Sequence, residues 1–128
     1  MRALLDSHTL LWWLSDDAGL TPKARRFIAE TGNSCVVSAA SAWEVATKFR
    51  IGKLAGASDL VAGFVESVQR ERFEVLSISA DHAIRAGLLP GPHRNPFDRM
   101  LIAQAQAEGI PIVSNDAIFD DYGVRRIW

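Results

Sequence analysis

The chain has 128 residues, 48% hydrophobic and 23% charged, the make-up of a globular protein long enough to bury a real core. Its formal net charge of −1 excludes a global pull toward nucleic acid, so any RNA contact has to come from a local patch. A single cysteine excludes an internal disulfide, and no stretch approaches the ~18 apolar residues of a membrane span.

Arg2–Leu5 reads as a short apolar strand. It meets the charge of Asp6 too soon for a signal peptide, so a cytoplasmic location is expected. Ser7–Ser15 follows as a helix that is apolar almost all round. Leu10, Leu11, Trp12, Trp13 and Leu14 supply one side to the core, and the surplus side is expected to meet a partner or a second subunit. Thr21-Pro22 places a capping threonine before a proline at the first position of a helix over Pro22–Thr31. Ser34–Val37 is a second strand, where Cys35 reads as a buried thiol. Helices are then expected over Ala39–Ile51 and Leu60–Arg70, a strand over Phe73–Leu76, and helices over Asp81–Leu88 and Pro96–Glu108. Gly109 ends the last of these, and strands over Ile110–Val113 and Val124–Ile127 close the chain.

Strands alternating with helices imply one α/β domain over residues 1–128, with a parallel sheet of about five strands covered on both faces. Such sheets bind ligands outside the carboxyl ends of their strands, where strand order reverses. Asp6 and Asp116 both follow strands and so fall at that edge. If the first and fourth strands are neighbours, the two carboxylates lie within reach of one ion.

Two further acids accompany them: Glu44 in Ser41-Ala42-Trp43-Glu44, and Asp98 in Asn95-Pro96-Phe97-Asp98. No histidine or cysteine joins the four at ligand spacing. Oxygen-only donor sets suit magnesium or manganese rather than zinc. If the fold gathers these acids, they make a metal site for phosphate chemistry, because burying several carboxylates together is too costly without a cation. Each also has a purely structural alternative. Asp6 and Asp116 can cap helices, Asp98 can complete a capping box behind Asn95, and Glu44 can pair with Lys48 one turn on. Ser114 and Asn115 can orient Asp116. His8, His82 and His93 share no ligand spacing, and neither a glycine-rich phosphate loop nor a serine-nucleophile motif is present.

These segments resemble the PIN-domain family, and within it VapC-like toxins of bacterial toxin–antitoxin pairs. The resemblance runs through Leu4-Leu5-Asp6-Ser7-His8-Thr9-Leu10-Leu11-Trp12-Trp13, then Ser41–Lys48 followed by Ile51-Gly52-Lys53-Leu54. Its most specific stretch is His93–Ala105, and Ser114-Asn115-Asp116 completes it. The family's four acidic positions fall on Asp6, Glu44, Asp98 and Asp116. Where the family often has Asp-Pro-Phe-Asp, this chain has Asn95 in place of the first acid, and Ser114 stands where threonine is common.

The resemblance implies a three-layer α/β/α fold, Mg²⁺- or Mn²⁺-dependent cleavage of RNA, dimerisation to a homodimer, and inhibition by a small cognate antitoxin protein. In the expected mechanism Asp6, Asp98 and Asp116 hold the metal. Glu44 completes the negative pocket, holding a second ion or orienting the attacking water. Lys48, Arg50, Lys53, Arg94 and Arg99 flank the second and third acids and are the expected phosphate contacts. Two rivals stand beside this reading. One is an aspartyl phosphatase using Asp6 as nucleophile, although His8 occupies the place where such enzymes carry a second aspartate. The other is a catalytically silent module that only grips an antitoxin or RNA.

Overall fold

The computed structural model describes residues 1–128. The strands are β1 (Arg2–Leu5), β2 (Ser34–Ser38), β3 (Glu74–Leu76), β4 (Ile112–Val113) and β5 (Arg126–Ile127). They form one sheet in the order β3-β2-β1-β4-β5, and every neighbouring pair is parallel. The helices are α1 (Ser7–Leu14), α2 (Pro22–Ala29), α3 (Ala39–Arg50), α4 (Ser58–Ala62), α5 (Phe64–Arg70), α6 (Ala80–Leu88) and α7 (Pro96–Glu108). No helix is long and apolar enough to cross a membrane.

Alternation along the strands builds two cores. Ala3 and Leu5, Cys35 and Val37, and Val113 point to the face covered by α1, α2 and α5, where they meet Leu10, Ala24, Ile28 and Val68. Leu4, Val36 and Ile112 point the other way, onto Ala40 of α3, Leu101, Ile102 and Ala105 of α7, and Phe119. That is the expected three-layer α/β/α sandwich. Cys35 is enclosed in the first core, and burial pushes its thiol up to about 11, which keeps it protonated and inert.

The last three strands begin later than their apolar runs suggest, and the cause is the same each time. Arg72, Gly109 and Gly123 adopt left-handed backbones with φ of 62°, 64° and 71°. The next residue then turns its amide back onto the helical turn it has just left: Phe73 to the Val68 carbonyl, Ile110 to Ala105, Val124 to Phe119. These closures satisfy helix-end carbonyls, so those residues are unavailable to the sheet. Pro111 has no amide to donate, which delays β4 one residue more.

The helix expected over Leu60–Arg70 is two. Gly63, at φ −137° and ψ 50°, separates α4 from α5. A glycine inside a helix costs roughly 1 kcal/mol relative to alanine, and here it marks the break. Trp12 lies against Trp128, with ring centroids 5.9 Å apart, and Trp13 against Phe73 at 6.4 Å, so both rings are half-buried within the chain itself. The large apolar side chains left exposed are Met1, Trp43, Ile51, Val65, Ile84 and Leu88.

Candidate metal and phosphate site

Strand order reverses between β1 and β4: β2 and β3 lie on one side of β1, β4 and β5 on the other. At the carboxyl ends of these two strands lies a cleft of about 520 Å³. Asp6, Glu44, Asp98 and Asp116 all line it, together with Ser7, His8, Trp12, Lys48, Asn95 and Asn115. Four acids from four distant segments thus share one cavity.

Each is held by the element that carries it. Asp6 leaves β1 and caps α1, accepting from the Thr9 amide at 2.8 Å, while its other oxygen takes the Ser114 hydroxyl. Glu44 projects from α3 and is only 4% exposed. The Ser7 hydroxyl donates to it at 2.6 Å, and the Lys48 ammonium lies at 2.7 Å. The Glu44–Lys48 pair has the one-turn spacing of a surface pair, but its carboxylate is buried. Ser7 also sits 3.0 Å from the Ser41 hydroxyl.

Asp98 is at the third position of α7, behind a cap in which Asn95 Oδ1 accepts from the Phe97 and Asp98 amides at 2.9 and 3.2 Å. Its Oδ2 lies 2.9 Å from His93 Nε2. Asp116 follows β4 and caps a 3-10 turn over Ala117–Tyr122, accepting from the Ile118 amide at 3.0 Å. The Asp116 amide in turn donates to Ser114 Oγ at 3.0 Å. Ser114 therefore ties Asp6 to Asp116, where its place in the sequence suggested only a contact with Asp116. Three of the structural alternatives considered for the acids are also realised: Asp6 and Asp116 cap helical turns and Glu44 forms the ion pair, whereas the capping box expected of Asp98 is not closed, Asn95 capping α7 alone while the Asp98 carboxylate turns to His93. The capping roles and the shared cleft coexist.

Asp98 reports the crowding. Burial pushes its carboxyl above the ordinary aspartate range, and the nearby charges of Glu44 and Asp116 push it further, against a downward pull from His93. Glu44 and Asp116 are therefore close enough to Asp98 to be felt electrostatically. Asp98 Oδ1 and Asp116 Oδ2 accept from no protein group. As they stand, no three of these side chains converge into a ready-made ligand set. Their chemistry nonetheless fits a hard divalent cation: an all-oxygen set around a polar cavity, with two oxygens free and no thiolate or histidine pair to favour zinc.

Of the five expected phosphate contacts, only Lys48 lines the cleft. Arg50, Lys53 and Arg94 are exposed outside it. Arg99 is placed differently from that expectation. Its guanidinium donates to the carbonyls of His93, at 2.8 Å, and of Leu89, pinning the loop before α7 instead of facing solvent. Its position just after Asp98 suggested the cleft, but about 100° of helical rotation separates the directions in which the two side chains point. His93 is the residue that reading the sequence missed. Five residues from Asp98 and in a proline-rich loop, it has no helical spacing to betray the contact.

The PIN-domain model matches residues 3–124. No match is found among curated protein sequences. Several solved structures share the fold at low identity. VapBC2 from Rickettsia felis, bound to a DNA fragment from its promoter, superposes at a TM-score of 0.66 with 16% identity, covering 100% of both chains. VapBC-1 from nontypeable Haemophilus influenzae gives 0.65 and 13%, covering 98% of this chain and 96% of the other. VapC20 from Mycobacterium tuberculosis, a toxin that cleaves the sarcin–ricin loop, gives 0.64 and 17%, covering 97% and 96%. The chain belongs to the PIN-domain family.

Proposed function

We propose that this PIN-domain protein is a divalent-metal-dependent endoribonuclease and the toxin of a toxin–antitoxin pair. One observation carries the reading: four carboxylates, from segments up to 110 residues apart, line one cleft in which Lys48 is the only lysine or arginine. Such a concentration of negative charge calls for a cation. Asp6, Asp98 and Asp116 are the residues to hold Mg²⁺ or Mn²⁺. When bound, the ion lowers the pKa of water and offsets charge on the scissile phosphate.

The chain's own groups divide the remaining work. Asp6, with both oxygens hydrogen-bonded and its backbone fixed between β1 and α1, is the rigid member. Asp98 and Asp116 each present an oxygen that no protein donor occupies. Glu44 completes the negative pocket, locked by Ser7 and Lys48. Ser114 sets the spacing of Asp6 and Asp116, and Asn115 stands beside them at the rim. Lys48 brings positive charge into the cleft, where a phosphate needs it.

RNA as substrate is supported by the site chemistry together with the fold shared with VapC20, whose target is the sarcin–ricin loop. A small cognate antitoxin is supported by the fold shared with VapBC complexes, and a homodimeric toxin and a cytoplasmic location belong to the same reading. An aspartyl phosphatase fits less well, because His8 stands where such enzymes carry their second aspartate.

The test is RNA cleavage by purified protein with Mg²⁺ and with EDTA. Hydrolysis leaving 5′-phosphate and 3′-hydroxyl ends, abolished by EDTA, is the expected result. Cleavage that survives EDTA, or 2′,3′-cyclic ends, overturns the mechanism, since those ends require an acid–base pair acting on the RNA's own hydroxyl.

A further inference from the structure

Trp43 is 55% exposed, whereas the other three tryptophans are half-buried. Its ring is nonetheless held in place. It meets Phe97 edge-on, with centroids 4.7 Å apart and planes at 76°. Phe97 is fixed in turn by Asn95, whose Oδ1 accepts from the Phe97 amide at 2.9 Å and from the Asp98 amide at 3.2 Å. One cap therefore positions both the aromatic pair and a proposed metal ligand.

The pair borders the acid cleft through both of its helices. Trp43 immediately precedes Glu44 on α3, and Phe97 immediately precedes Asp98 on α7. Consecutive Cα atoms are ~3.8 Å apart, so the two rings bridge α3 and α7 beside the acids. The rest of this face of α3 is not apolar. Ala46, Thr47 and Arg50 follow Trp43 at three, four and seven residues, the positions that share a helix face. Arg50 is exposed and belongs to none of the protein's ion pairs. The next exposed large apolar side chain along this segment, Ile51, is eight residues on, roughly 12 Å along the axis. A protein partner that buries an apolar face would find a single ring here. A single-stranded nucleic acid finds a π-face for one base and a free cation for a phosphate near it.

We propose that Trp43, braced by Phe97, is a stacking platform for a base of the RNA strand whose phosphate enters the acid cleft, with Arg50 on a flanking phosphate. The platform rests on the nuclease reading and deepens it. Stacking selects an unpaired base rather than a particular sequence, so the substrate it favours is a single strand or a loop and not a duplex.

The test compares two fluorescent hexamers, oligoadenylate and the same ribose–phosphate chain without bases. Binding is followed by anisotropy in Ca²⁺, a hard cation that also takes oxygen ligands. Wild type should bind the adenylate about tenfold more tightly, the scale of stacking one base on an aromatic ring. Trp43→Ala should lose most of that gap and bind the base-free chain as wild type does. Trp43→Phe should keep much of the gap, and Trp43→Leu, apolar but without a ring, should not. Arg50→Gln, at an exposed position, should weaken both hexamers alike and flatten their salt dependence. RNA cleavage by wild type in Mg²⁺ checks the nuclease reading separately. Cleavage by a wild type that shows no gap overturns the platform alone. So does a gap that survives in Trp43→Ala, which assigns the exposed ring to a protein contact instead. A gap that Trp43→Ala removes, without any cleavage by wild type, supports the platform and overturns the nuclease reading.

Discussion

At the amino end of β1, Arg2 reaches Glu74 at 2.9 Å and Glu108 at 3.3 Å; at the carboxyl end of the same strand, Asp6 opens a cleft that three other acids share. The first arrangement is self-sufficient. Arg2 holds the Glu74 carboxyl below the ordinary glutamate range, each glutamate has the guanidinium beside it, and water reaches all three groups. The second is not. Asp98 is pushed up rather than down, chiefly by burial and then by its acidic neighbours, and the cations at hand are Lys48, already paired with Glu44, and His93 if protonated. Acids that serve the fold find arginines. Acids gathered against each other's charge point to a ligand the chain does not supply, and this contrast is the physical basis of the functional reading.

The contrast predicts how variants at the two ends diverge. Asp98→Asn should cut RNA cleavage by roughly a hundredfold or more, the scale on which one charge-stabilising group registers at a reaction centre. The metal-free protein should meanwhile keep its thermal stability or gain some. Single-turnover cleavage beside calorimetric unfolding measures both. If the variant cleaves as well as wild type, Asp98 is only a first-turn acid of α7 that holds His93.

Ser114→Ala should be the next most damaging. It leaves a buried oxygen of Asp6 without its donor and the Asp116 amide without its acceptor, at a cost of about 1–3 kcal/mol. Losing the link between two proposed ligands should also weaken metal binding by about 10–100-fold. Denaturant unfolding and metal titration would show it. Full affinity in the alanine variant would mean that the two acids act independently.

The pH dependence of stability should differ between the ends as well. Folded Asp98 keeps its proton to a higher pH than an aspartate in the unfolded chain. The folded state therefore binds more protons just above the ordinary aspartate range. This group's stabilising contribution is fully present below the unfolded pKa and is lost as pH rises through the raised, folded one. Metal-free protein should melt at progressively lower temperature across that window, and Asp98→Asn should remove this part of the slope. Glu74, held low by Arg2, contributes in the opposite direction: its stability is present above the ordinary glutamate value and fades as pH falls. A slope unchanged in Asp98→Asn would argue against the crowding.

The smallest effect belongs to Arg2→Met. Partly exposed ion pairs contribute about 0–1 kcal/mol, so stability should fall by no more than that and cleavage should not change.

The sheet and its layers could be read from the alternation of apolar runs with helical segments, because burial on both faces leaves that imprint in the side chains themselves. The strand starts could not. Whether Phe73, Ile110 and Val124 join the sheet depends on where their amides point, and that follows from left-handed turns at Arg72, Gly109 and Gly123, one of them at a residue that is not glycine. The site shows the same division. Asp6 and Asp116 were placed at one edge by strand polarity, and Glu44 and Asp98 by motif and resemblance. The partners of their oxygens come from across the fold, as in Ser114 to Asp6 and Ser7 to Glu44, which sequence spacing does not encode. Arg99 and His93 mark the limit: adjacency in sequence suggested the wrong role for one and concealed the contact of the other.

The central claim is that the four acids form a site completed by a divalent cation, and a calorimetric titration of Mn²⁺ into metal-free protein tests it most directly. The account predicts saturable binding by wild type, weakened at least about tenfold in Asp98→Asn. It also predicts a gain in folding stability of about 2.7 kcal/mol when free metal is a hundred times Kd. Wild-type protein that takes up no metal, or an Asp98→Asn variant that binds it equally well, would contradict the account.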